Sequence, residues 1–240
     1  PYLSRGLGDV YKRQFLIGDE DALGELTAFS SVEDPVADLD DVVLPPDSRH
    51  AIAAAITHHD ALRQRRAAWG VDRVVRYGRG LMLLFYGPPG TGKTLTAHAV
   101  ARRMGRRLLN VDVPTFLAHE DAGRFLPGLF REARLQHAVL FFDECETLMR
   151  SRLDGNPLMS VLLTELERFE GVAVLATNQP WALDEALIRR ILVRARFDPP
   201  DATARADIWR LHLPDSIPQA DDIDLPALAA RFPLTGGLIK

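Results

Sequence analysis

The apolar residues in the middle of the chain fall in short strand-like runs. Leu81-Met82-Leu83-Leu84-Phe85-Tyr86 is the first, and others occupy 107–112, 138–142, 172–176 and 191–197. Runs of this length predict strands, and those at 81–86, 138–142 and 172–176, which carry no charged break, have the pattern of strands buried on both faces. Helix formers fill the intervals, as from Leu95 to Met104. An Ala-rich amphipathic stretch also predicts a helix from an N-cap at Ser48 to about Trp69, where Gly70 stops it. Strand-like and helical segments that alternate in this way predict an α/β fold with a parallel sheet covered by helices on both faces.

The flanks read differently. Residues 1–14 (PYLSRGLGDVYKRQ) share no periodicity with the rest of the chain and resemble adapter-derived read-through, so they are expected to be non-native. Residues 15–47 carry Asp19, Glu20, Asp21, Glu33, Asp34, Asp38, Asp40 and Asp41 and end in Pro45-Pro46, which predicts an acidic linker. The sequence stops three residues after Gly236-Gly237, where a helix is expected to begin, and is read as a piece of a longer protein.

A hydrophobic content of 47% over 240 residues supports a sizeable core. The net charge of −4 does not favour nucleic acid as a partner, and no apolar run approaches the ~18 residues of a membrane helix. A lone cysteine, Cys145, leaves no intramolecular disulfide and fits a cytoplasmic setting. His58, His59 and His119 lack companions at metal-ligand spacing and read as surface residues.

The first strand leads into Gly87-Pro88-Pro89-Gly90-Thr91-Gly92-Lys93-Thr94, a phosphate-binding loop complete at every position of Gly, four spacers, Gly, Lys, Ser/Thr. Its glycines let backbone N–H groups wrap phosphate oxygens, and a helix beginning at Lys93 aims its N-terminus at the same anion. Lys93 is expected to reach the β- and γ-phosphates and Thr94 to ligate Mg²⁺, with Leu95 beside the nucleotide. The strand 138–142 then delivers Asp143 and Glu144, read as the metal-site carboxylate and the group that polarises the attacking water. The strand 172–176 delivers Thr177-Asn178, and a carboxamide there can hydrogen-bond both a γ-phosphate oxygen and that water.

Further along the chain come Leu183-Asp184-Glu185-Ala186-Leu187-Ile188-Arg189-Arg190, Pro199-Pro200-Asp201 and Leu234-Thr235-Gly236-Gly237. In this order the motifs resemble the AAA+ ATPases over about residues 38–240, and within them the clade of proteasomal ATPases, membrane-bound AAA proteases and severing enzymes, with bacterial stand-alone members nearest. The resemblance implies a three-layer P-loop NTPase fold with five parallel strands in the order 5-1-4-3-2. The nucleotide-binding core would span 48–212 and the start of a small helical lid 213–240. It also implies ATP with Mg²⁺, a homo-oligomeric ring, hexameric in the full-length protein, and a protein client. Arg190 matches the arginine that serves the next subunit's site, whereas Val193 stands where a second is expected. Asp41-Val42-Val43 matches the segment beside adenine, and Gly236-Gly237 the lid's contact with nucleotide.

Two departures bear on function. The threading tripeptide of an aromatic, a hydrophobic residue and glycine corresponds here to Ala118-His119-Glu120, with Phe116 and Leu117 nearby as substitutes or as packed residues. Cys145-Glu146 replaces the usual Ala or Ile followed by Asp, and Cys145 reads as a small packing residue. The sequence supports three readings: an ATP-hydrolysing remodelling protein, a nucleotide-gated assembly module with slow hydrolysis and no threading, and a DNA-linked relative.

Overall fold

The computed structural model describes residues 26–70, 78–119, 121–150, 158–213 and 223–239. Residues 1–14, Glu120 and the acidic residues 19–21 lie outside them. Six strands form one sheet. β1 (Ser30–Glu33) and a short 3-10 turn (Leu39–Asp41) precede α1 (Pro46–Trp69) and β2 (Leu81–Tyr86). Then come α2 (Lys93–Arg103), β3 (Leu108–Asp112), α3 (Val113–Leu117), α4 (Ala122–Leu135) and β4 (Val139–Asp143). α5 (Glu146–Arg150), α6 (Leu158–Arg168), β5 (Val172–Thr177), α7 (Glu185–Ile188) and β6 (Val193–Arg196) complete the core. α8 (Ala202–His212), α9 (Leu225–Arg231) and α10 (Gly236–Ile239) come last.

The strand order is β1-β3-β4-β5-β2-β6. Counted from β2, the five parallel strands have the order 5-1-4-3-2, as the family resemblance implies. Alternate side chains of β2, β4 and β5 enter different cores, which explains why the runs that form them have no polar breaks. Met82, Leu84, Leu140, Phe142, Ala173 and Leu175 face the side covered by α4 and α6. Leu83, Phe85, Val139, Phe141, Val172 and Val174 face the side covered by α1 and α2.

Three boundaries differ from the sequence reading. The stretch 26–47, expected to be linker, belongs to the fold: Leu26 and Phe29 are buried in the core, and β1 pairs antiparallel with β3, Ser30 opposite Val111. α1 starts at Pro46 rather than after Ser48, because proline suits the first turn, where its missing N–H is no loss. Gly70 does stop it, in the left-handed conformation at φ 66°. Finally, α8, expected in the core, packs against α9 and α10, and the Arg205 guanidinium donates to the Ala229 carbonyl at 2.7 Å. The helical group formed by α8, α9 and α10 therefore begins at about Asp201, whose carboxylate caps α8 through the Ala204 N–H at 2.7 Å.

Candidate functional site

β2, β4 and β5 are neighbours, and their carboxyl ends converge. β2 ends in the glycine loop, where Gly87, Gly90 and Gly92 have φ of 147°, 74° and 97°. Gly92 in this conformation starts α2 at Lys93, so the first N–H groups of an 11-residue helix face the loop. The Gly87 N–H donates to the Thr177 carbonyl at 3.1 Å, which fixes the loop to the end of β5.

Lys93 is only 7% exposed. Its Nζ donates to the carbonyls of Gly87 and Pro88 and to Asn178 Oδ1, each at 2.8 Å. All three acceptors are neutral, so the charge of a buried ammonium is not directly matched. Burial pushes its pKa below the usual lysine value, and the carboxylates of Asp143, Glu146 and Glu144 act against that shift. An ammonium held this way at a helix N-terminus suits an incoming polyanion.

The Thr94 hydroxyl donates to Asp143 Oδ2 at 3.1 Å. A hydroxyl and a carboxylate that share a proton here are the oxygen donors a Mg²⁺ ion prefers, so the residues present fit that ion. Asp143 Oδ1 accepts from the Glu144 N–H at 2.9 Å. Glu144 itself is exposed and left-handed at φ 51°. For a non-glycine residue that conformation costs on the order of 1 kcal/mol, and such strain gathers at functional sites. The turn is held by the Cys145 N–H on the Ala176 carbonyl at 2.9 Å, which joins the ends of β4 and β5.

Val42 and Gly237 also reach the loop. Val42 is buried, and its Cγ1 lies 4.0 Å from where a Cβ on Gly92 would sit. Asp41 turns away to accept from the Asp38 N–H at 2.7 Å, and Val43 is half-buried. Arg49 holds this segment by donating to the Val42 carbonyl at 2.7 Å. From α10, the Gly237 N–H donates to the Gly90 carbonyl at 3.0 Å. A Cβ on Gly237 would meet Gly90 Cα at 3.3 Å, so a glycine here lets α10 sit on the loop.

Arg190 is not part of this cluster. It lies between α7 and β6, donating to the Ala186 carbonyl at 2.7 Å and to Glu167 Oε2 at 3.2 Å. It lines a groove of about 640 Å³ at the amino ends of the strands, together with Arg66, Arg79, Arg106, Arg134 and Arg189. Leu81 lines the same groove, so the length of β2, roughly 20 Å at ~3.3 Å per residue, separates Arg190 from its own phosphate loop. Arg190 can act on a triphosphate only if that triphosphate is another copy's.

Phe116 is fully buried and packs edge-on against Phe29 with ring centroids 5.1 Å apart. His119 packs edge-on against Phe29 and Phe125 in the same aromatic cluster instead of lying free on the surface. Cys145 is fully buried, and burial pushes its thiol far above the usual cysteine range. It is a packing residue. His58 and His59 lie along the basic groove, and His59 is buried rather than on the surface.

One residue of the site has no clear signal in the sequence. Glu146, 5% exposed, accepts the Asn178 N–H at 3.3 Å. Its place in Asp143-Glu144-Cys145-Glu146 suggests only a departure from the family pattern.

Residues 83–199 match the family model described as "ATPase family associated with various cellular activities (AAA)". The chain is 36% identical over 168 residues to the Cell division cycle protein 48 homolog of Archaeoglobus fulgidus, a match that covers 64% of this chain and 22% of that protein. It is 34% identical over 203 residues to a Micrococcus luteus protein named "AAA ATPase forming ring-shaped complexes", covering 73% of this chain and 33% of that one. The chain thus spans a third or less of the length of these curated relatives. The solved structure of the FIGL-1 AAA domain shares the fold, with a TM-score of 0.70 at 22% identity over 92% of this chain and 75% of that one. The strand order, the complete phosphate loop and the matched domain agree: the chain belongs to the AAA+ ATPase family.

Proposed function

We propose that the chain binds ATP with Mg²⁺ and hydrolyses it at a site shared between two copies, and that the cycle drives remodelling of a protein client in a cytoplasmic ring. The observation that carries this reading is the convergence of Lys93, Thr94, Asp143, Glu144 and Asn178 at the carboxyl ends of three adjacent strands, with Arg190 displaced to the opposite end. The exposed phosphate loop and the N-terminus of α2 bind the triphosphate, and Lys93 exchanges its carbonyl partners for phosphate oxygens. Asn178 offers its carboxamide to a γ-phosphate oxygen and to the attacking water. Glu144 takes a proton from that water as it adds to the γ-phosphorus and the bond to the β-phosphate oxygen breaks, leaving ADP and phosphate. Mg²⁺, held by Thr94 and Asp143, would neutralise charge on the phosphates. Arg190 of a neighbouring copy stabilises charge on the transferred group.

One observation favours a second reading, the assembly module without threading. The aromatic that could replace the missing loop tripeptide, Phe116, is packed in the core. A client would then be remodelled by changes in ring assembly rather than by passage over Phe116.

The test is Glu144→Gln. It is expected to bind ATP with near-native affinity and to lose turnover by a factor of order 10² or more. A native rate in this variant would remove Glu144 from its role.

A further inference from the structure

Asn178 is held at two points. Its side-chain oxygen accepts from Lys93, and its backbone N–H donates to Glu146 Oε1 across 32 residues of sequence. The neighbouring groups of the strand end are committed elsewhere. The Thr177 carbonyl accepts from the Gly87 N–H, and the Thr177 hydroxyl accepts from the Gln179 N–H at 2.9 Å.

Glu146 makes its single bond at a cost. The residue opens α5 and is buried, and its Oε2 has no hydrogen-bond partner among the described residues. A carboxylate with one bare oxygen in the interior opposes folding, and local rules broken in this way gather at functional sites.

The two holds on Asn178 differ in permanence. A bound triphosphate draws Lys93 away, which frees the carboxamide but also removes one anchor. The bond from Glu146 does not involve the nucleotide and remains.

We infer that Glu146 is a positioning residue for hydrolysis: it pins the backbone of Asn178 so that the carboxamide released by Lys93 faces the γ-phosphate and its water. The inference rests on the hydrolytic reading of the site and adds to it a residue that acts through Asn178.

The experiment compares wild-type chain, Glu146→Ala and Glu146→Gln in steady-state ATP hydrolysis, with and without Asn178→Ala. Glu146→Ala removes the acceptor and is expected to lower kcat about tenfold with KM within about twofold, the scale of one lost hydrogen bond. Glu146→Gln keeps a side-chain oxygen and is expected to stay within about threefold of wild type. On the Asn178→Ala background, Glu146→Ala is expected to change kcat by less than about twofold, because the group it positions is gone. A native kcat in Glu146→Ala, equal losses in the alanine and glutamine variants, or multiplicative losses in the double variant would each overturn the inference.

Hydrogen exchange of the Asn178 amide separates this outcome from failure of the hydrolytic reading. Protection lost in Glu146→Ala and kept in Glu146→Gln is expected even in a chain that does not turn over ATP. Unchanged protection in both would overturn the anchor itself.

Discussion

Replacing Gly87 by alanine tests whether the phosphate loop has its shape for steric reasons. A Cβ at this position would lie 1.9 Å from the Phe197 carbonyl oxygen and 2.8 Å from its carbon, on a backbone with φ of 147°. Ordinary contact begins at 3.4 Å, so the carbonyl would have to retreat by roughly 1.5 Å. It has little freedom to do so, because the Phe197 N–H donates to the Tyr86 carbonyl at 2.8 Å and continues the pairing of β2 with β6. Backbone strain of about 1–3 kcal/mol and one hydrogen bond worth about 1 kcal/mol sum to about 2–4 kcal/mol. In a chain of this size that lowers the melting temperature by about 5–15 °C. Gly105 is the control, since its φ is +62° and nothing lies within 4 Å of its would-be Cβ. Gly105→Ala meets only the conformational penalty, about 1–2 kcal/mol. The assay is thermal unfolding followed by circular dichroism. A Gly87→Ala variant that melts no lower than Gly105→Ala would refute the steric argument.

Burial sets the outcome of two more experiments, one a substitution and one a labelling. Phe116→Ala is expected to cost about 3–5 kcal/mol in urea unfolding, as a core aromatic should; native stability would place the side chain outside the core and make it a threading residue again. Cys145 is expected to be inert to a thiol reagent in the folded chain and to react fully in denaturant, since the reactive thiolate is suppressed by burial; rapid reaction of the folded chain would contradict its place beneath the β4–β5 turn.

The parts of the fold legible in the sequence are those whose local pattern and tertiary setting agree. β2, β4 and β5 are covered on both faces, so their runs are apolar throughout, and the residues that end them, Gly87, Asp143 and Asn178, stand out as the polar groups or turn residues that close a buried strand. β1 has no comparable signal. Its four residues, Ser30–Glu33, are ordered by pairing with Leu108–Val111, a long-range contact that no local pattern announces. The start of the helical group is hidden because α8 has an ordinary helical sequence, and only its packing on α9 and α10 assigns it. Glu146 is hidden for a related reason. A third acid after Asp143 and Glu144 reads as part of a solvated turn, whereas the left-handed conformation at Glu144 sends the chain into α5 with Glu146 facing inward. The distance between Arg190 and its own phosphate loop comes from topology alone, since the parallel sheet places the two at opposite ends of β2.

That separation makes the shared site the central claim, and complementation tests it most directly. Arg190→Ala keeps Glu144 and its own phosphate loop, whereas Glu144→Gln keeps an intact Arg190. Each variant alone is expected to hydrolyse ATP at a rate lower than wild type by a factor of order 10² or more. Mixed in equal amounts, they are expected to recover a substantial fraction of the wild-type rate, because some interfaces then join an intact Glu144 to an intact Arg190. A mixture no more active than its separate components, under conditions where the wild-type chain turns over ATP, would contradict a site built from two copies.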